Sequence, residues 1–91
     1  MQINGTTIAA ISGGASGLGA ATAKALAAQG AKVAILDRDT ERGRPLADDL
    51  SGCFFDVDVT DPAQVGIALE GVRDKFGALH VMVNCAGIGI A

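Results

Sequence analysis

Eight residues between an apolar run and an alanine-rich stretch constrain the fold of this chain more than any other segment. They read Ser12-Gly13-Gly14-Ala15-Ser16-Gly17-Leu18-Gly19. Residues 6–12 (TTIAAIS) form a short apolar run that ends in glycine, the pattern of a buried strand. Residues 16–29 are dominated by alanine and stop at Gly30, the pattern of a helix. A strand that passes directly into a helix needs backbone free of Cβ at defined points. Gly13 suits the tight turn out of the strand, and Gly19 lets the helix pack closely. The helix start then offers free N–H groups and a positive dipole end to an anion. On the glycines alone, a plain strand-to-helix connection fits as well as a phosphate-binding one.

The rest of the chain repeats the alternation. Residues 32–36 (KVAIL) read as a second strand ending at Asp37, residues 53–57 as a third and residues 79–84 (LHVMVN) as a fourth. Between the last two lies the best-defined helix. Asp61 is its N-cap, Pro62 takes the first helical position, Gln64 stands three after the cap and Gly77 ends it. Val65, Ala68, Leu69, Val72 and Phe76 make one apolar stripe along it. After the second strand, Thr40 could cap a helix running to Leu50. Pro45 would then fall inside it, at a cost of about 3 kcal/mol. The sequence therefore predicts a shorter helix with Pro45 near its first turn, its entry loosened by Gly43. Apolar strands alternating with helices imply an α/β fold: one Rossmann-type, doubly wound parallel sheet over residues 1–91, with right-handed crossovers and strand order 3-2-1-4.

Asp37 decides between the readings of the glycine turn. It ends the second strand, 18 positions after Gly19, near the spacing at which dinucleotide-binding folds keep an acid for the ribose hydroxyls. Gly17 would then let the backbone approach a pyrophosphate. No Lys-Ser or Lys-Thr closes the loop, which disfavours nucleoside triphosphate chemistry.

Composition removes other classes. The chain is 49% hydrophobic with a mean hydropathy of +0.39, too apolar for disorder. A formal charge of −3 and a pI near 4.7 argue against nucleic-acid or anionic-membrane partners. There is neither a basic start followed by a long apolar run nor a run of about 18 apolar residues. No targeting segment is visible, so the cytoplasm is the expected compartment, or mitochondria in a eukaryote. The single histidine, His80, has no ligand-like neighbours in sequence, and no metal site is expected. Cys53 and Cys85 fall on the third and fourth strands, with two strands between them. At about 4.8 Å per strand they lie about 14 Å apart, beyond disulfide reach, and are expected to be free thiols.

The glycine spacing, G-x-x-x-G-x-G, resembles the turn of the short-chain dehydrogenase/reductase family. Three further segments agree in order: Asp37, then Asp58-Val59-Thr60-Asp61, then Asn84-Cys85-Ala86-Gly87. The likeness runs from Thr6 to Ala91 and is greatest to the family's type II 3-hydroxyacyl-CoA dehydrogenases. It implies a cofactor site. Gly13, Ser16, Gly17, Leu18 and Gly19 would line the pyrophosphate and nearby ribose, and Asp37 the adenosine ribose. Asp58 and Val59 would meet the adenine edge, and Asn84, Cys85, Ala86 and Gly87 would flank the nicotinamide half. For Asp58 the cap of a turn is an equally ordinary role, and Asp61 is read as a helix cap only. Cys85 stands where a second asparagine is commoner and is read as a packing residue. His80 is read as a solvated or hydrogen-bonded residue at a strand start. The charge of Asp37 repels a 2′-phosphate, so NAD is expected over NADP. Arg38 and Arg42 argue the other way.

The resemblance implies hydride transfer between NAD and a secondary alcohol or ketone, such as a hydroxyacyl-CoA or hydroxysteroid. The family uses a tyrosine as general acid/base, with a lysine and a serine beside it. This chain has no tyrosine, and no residue in it is expected to be catalytic. An apolar ending, GIGIA, suggests the cofactor part of a longer enzyme, inactive alone and prone to self-association as a homo-oligomer. The alternatives are a non-catalytic dinucleotide-binding module and a self-associating structural fragment. Substrate would be met only by a full-length parent.

Overall fold

The computed structural model describes residues 3–15 and 17–85. Within them the elements alternate as β1(Ile8–Ser12), α1(Gly17–Ala28), β2(Lys32–Asp37), α2(Thr40–Asp49), β3(Cys53–Asp56), α3(Pro62–Phe76) and β4(Val81–Asn84). The strands form one parallel sheet in the order β3-β2-β1-β4, the order expected from the sequence. Registers are regular: Ile11 lies opposite Ile35 and Val83, and Asp37 opposite Asp56.

The central strands are apolar because both their faces are covered. All five residues of β1 are buried, as are Val33, Ala34, Ile35 and Leu36 of β2. Even-numbered residues of both strands (Ile8, Ala10, Ala34, Leu36) pack under α3, with Ala68 and Val72. Odd-numbered ones (Ala9, Ile11, Val33, Ile35) pack under α1 and α2, with Ala23 and Ala47. The stripe Val65, Ala68, Leu69, Val72 and Phe76 faces the first of these layers, as its spacing predicts.

The edge strand β3 seats both helical layers. Phe54 packs on the α2 face and Phe55 on the α3 face. Each ring occupies the space a helix side chain would take. A Cβ on Gly43 of α2 would collide with the ring of Phe54, and one on Gly71 would stand 2.8 Å from Phe55 Cε1. Arg44 also places its guanidinium 5.4 Å from the centre of the Phe54 ring.

Helix ends follow their sequence signals. Gly30, at φ 97°, closes α1 in a Schellman pattern, with Ala31 N–H donating to Leu26 C=O and Gly30 N–H to Ala27 C=O. Asp61 caps α3, accepting from Ala63 N–H at 3.0 Å, and Gly77 ends it in the left-handed region.

Five sequence expectations change. Residues 6 and 7 belong to a turn rather than to β1, because Asn4 Oδ1 accepts from both the N–H and the hydroxyl of Thr6. Residues 79 and 80 precede β4, and β3 stops at Asp56. The helix after β2 is not shortened by proline: α2 runs through Pro45, capped by Asp39, which accepts from Arg42 N–H. Pro45 and Glu41 are both exposed, so the Glu41 carbonyl, to which proline cannot donate, is on a side of the helix that water can reach. Gln64 does not close a capping box on Asp61 N–H. Its Oε1 accepts from Asp58 N–H at 2.9 Å and its Nε2 donates to Asp61 Oδ2, tying the helix start to the segment after β3.

His80 is hydrogen-bonded at the start of β4: its Nδ1 accepts from Ile8 N–H at 3.0 Å, and its own N–H donates to Ile8 C=O. Cys53 and Cys85 are free thiols on opposite layers. Burial pushes the Cys53 thiol above its ordinary 9.0, with Lys75 opposing the shift.

Candidate dinucleotide-binding site

In a parallel sheet the carboxyl ends of all strands lie along one edge, and ligands of open α/β sheets bind there. That edge gathers the glycine turn after β1, Asp37 at the end of β2, Asp58 and Val59 after β3, and Asn84 and Cys85 at the end of β4. Ser16, Ala86 and Gly87 lie outside the described residues.

Local hydrogen bonds join these segments. Gly13 N–H donates to Leu36 C=O at 2.8 Å, anchoring the turn to β2. Ser12 Oγ donates to Asn84 Oδ1 at 3.0 Å, and Cys85 N–H donates to Ser12 C=O, anchoring it to β4. The Asp37 carboxylate closes the group. Oδ2 accepts from Ala15 N–H inside the turn at 3.1 Å, and Oδ1 accepts from Asp39 N–H at 3.0 Å.

The turn itself has the shape its glycines foretell. Gly13 and Gly17 have φ of 70° and 53°, left-handed values that favour glycine. Nothing lies within 4 Å of where a Gly17 Cβ would stand, so the backbone there faces open space. Gly19 is the opposite case. A Cβ on it would strike the Gly13 carbonyl and lie 2.8 Å from Gly14 Cα. Its lack of a side chain lets α1 fold back onto the turn, a closer approach than packing on the sheet. Leu18, beside the open Gly17, is 59% exposed.

After β3, Asp58 caps a turn. Its Oδ1 accepts from Thr60 N–H at 3.0 Å and from Thr60 Oγ1 at 2.6 Å. These bonds, the hydroxyl first, hold the Asp58 carboxyl below its ordinary 3.8, and the charge of Arg38 adds to the effect. Oδ2 stands 3.7 Å from Arg38 Nη1. Val59 is half-buried and packs against the α3 layer.

Two participants escape sequence reasoning. Gln64 reads as a capping residue in sequence, yet it holds Asp58 N–H. Arg38 reads as a candidate partner for a phosphate, yet it faces Asp58. The Asp58-x-x-Asp61-x-x-Gln64 spacing carries a signal for the first; nothing in the linear sequence carries the second. Among the described residues there is no cluster of metal-ligating side chains and no helix long and apolar enough to cross a membrane.

The family model for short chain dehydrogenases matches residues 7–91. The chain belongs to that family. Over 86 residues the chain is 45% identical to 3-hydroxyacyl-CoA dehydrogenase type-2 of Drosophila melanogaster, covering 92% of this chain and 34% of that protein. It is 43% identical over 83 residues to 3-alpha-(or 20-beta)-hydroxysteroid dehydrogenase of Mycobacterium bovis, covering 89% of this chain and 32% of that protein. Among solved structures it resembles a 3-ketoacyl-(acyl-carrier-protein) reductase from Brucella melitensis complexed with NADH, with a TM-score of 0.81 and 33% identity. That match covers 88% of this chain and 33% of the reductase. The chain thus spans about a third of the length of the relatives it matches.

Proposed function

We propose that this chain is the NAD-binding part of an oxidoreductase that moves a hydride between NAD and a secondary alcohol or ketone of the hydroxyacyl-CoA or hydroxysteroid kind. The observation that carries the reading is the bond from Ala15 N–H to Asp37 Oδ2, which sets the acid beside the glycine turn. The residues present fit a dinucleotide. The open backbone at Gly17 leaves room for a pyrophosphate at the start of α1, where free N–H groups and the helix dipole favour an anion. Leu18 and Gly19 continue that cradle, and the family's motif assigns Ser16 the same role. Asp37 has carboxylate lone pairs beyond the two it uses, and these can accept from ribose hydroxyls. Its charge disfavours a 2′-phosphate, so NAD is preferred over NADP. Asp58 and Val59 serve the adenine, and Asn84, Cys85, Ala86 and Gly87 the nicotinamide half.

When bound, the nicotinamide supplies the hydride donor or acceptor. This chain's residues bind and orient it, and no tyrosine is available among them to exchange the substrate proton. In the family's chemistry a tyrosine exchanges that proton, so our reading takes this group from outside these residues and expects the chain alone to be inactive.

NADH fluorescence tests the reading, because the chain has no tryptophan to interfere. Titrating the chain into NADH should raise and blue-shift the nicotinamide emission. Gly17→Val, which fills the open backbone, should abolish the change. No response with cofactor at millimolar concentration overturns the reading.

A further inference from the structure

Two arginines follow Asp37 within five residues, and each is matched by a carboxylate. Arg38 follows the ribose-facing acid directly. Its Nη1 lies 3.7 Å from Asp58 Oδ2, with its side chain 73% exposed and that of Asp58 33% exposed. Arg42 Nε lies 3.5 Å from Oδ2 of Asp39, the cap of its own helix. In dinucleotide-binding folds an arginine near the strand-end acid is the group that accommodates a 2′-phosphate. Here that arginine already has an anion.

Asp58 is built for the pairing. Val57 N–H donates to Asp37 C=O at 3.1 Å, which brings the segment after β3 alongside the end of β2. Gln64 fixes Asp58 N–H, and Thr60 occupies Oδ1 with two hydrogen bonds. Oδ2 is thereby turned toward Arg38. We propose that Asp58 is a specificity-determining residue, which disfavours a 2′-phosphorylated dinucleotide by engaging the Arg38 guanidinium that would otherwise receive the phosphate. Asp37 repels the phosphate directly; Asp58 acts through Arg38. This inference rests on the NAD-binding reading above.

Exposed ion pairs are weak, so the effect is a tilt in preference and not an absolute barrier. It is read from a ratio. NADH and NADPH share the adenine, so any weakening of adenine binding in an Asp58 variant cancels when their affinities are compared. Asp58→Asn keeps an oxygen to accept from Thr60 and removes the charge. Dissociation constants for NADH and NADPH are measured by fluorescence for the unaltered chain, Asp58→Asn, Arg38→Gln and the double variant, with circular dichroism to check folding.

Asp58→Asn should raise the NADPH-to-NADH affinity ratio about twofold to fivefold. The double variant should return it to the starting value. Arg38→Gln alone should move it less than about twofold, because the guanidinium is already engaged. An unchanged ratio in Asp58→Asn overturns the proposal. So does a rise that persists without Arg38, which would be direct charge repulsion by Asp58. If Asp58→Asn does not fold, Arg38→Gln still decides: a fall in its ratio well beyond twofold means that Arg38 already receives the phosphate and overturns the proposal. Failure of the unaltered chain to bind either cofactor overturns the NAD-binding reading, and this inference with it. Binding of NADH with no shift in ratio overturns this inference alone.

Discussion

Oδ2 of Asp37 accepts a hydrogen bond from the backbone N–H of Ala15, 22 positions earlier in the chain. The bond makes one carboxylate serve two ends. It anchors the middle of the glycine turn, and it fixes where the acid stands relative to the start of α1.

Replacing Asp37 with alanine removes the acceptor for Ala15 N–H and for Asp39 N–H together. Water can reach this partly buried place, so the loss should be about 1–3 kcal/mol. A urea titration followed by far-ultraviolet circular dichroism measures it. NADH binding should weaken more than the stability loss alone explains.

Gly19→Ala and Gly17→Ala separate crowding from backbone strain. The first drives a methyl group into the Gly13 carbonyl and should cost about 1–3 kcal/mol. The second meets no atom within 4 Å and bears only the strain of a positive φ, about 1–2 kcal/mol. Both should weaken NADH binding, Gly19→Ala by disordering the turn. Thermal melts read the stabilities, and NADH fluorescence reads the binding.

Pro45→Ala should raise the melting temperature. Proline interrupts the hydrogen-bond ladder of α2 on its exposed side, and alanine restores the bond to Glu41 C=O. A gain of about 1–3 kcal/mol is expected, reduced by the greater freedom alanine gives the unfolded chain.

Asp58 titrates below its ordinary 3.8, chiefly through the Thr60 hydroxyl. A carboxyl lowered by folding stabilises the folded state above its unfolded value. That contribution disappears as pH falls through the lower, folded value. Carboxyl carbon chemical shifts should therefore place the Asp58 midpoint under 3.8. Thr60→Val should raise it, and Arg38→Gln should raise it by less. A larger rise with Arg38→Gln than with Thr60→Val would show that the ion pair, and not the hydroxyl, dominates.

The sheet order, the stripe of α3 and the strand-end acid are legible in the sequence because periodicity and spacing are local properties. Pro45 misleads because its cost depends on whether Glu41 C=O faces water, which no local pattern states. Residues 6 and 7 carry strand-forming composition, but Asn4 recruits Thr6 into a turn. The pairing of Arg38 with Asp58 joins residues 20 positions apart through the alignment of two neighbouring strands. It becomes visible only once the register of β2 on β3 is known.

Phe54 and Phe55 therefore have a consequence for cofactor choice. They point to opposite faces of a four-residue strand, and each fits against a different helix glycine. A slip of β3 by one residue would turn both rings to the wrong layer. The two rings act as an alignment check on the edge strand, and Asp58 stands three residues beyond the second. Whether an aspartate meets Arg38 at the mouth of the site thus depends on two aromatic rings seated against the helices on either side of the sheet.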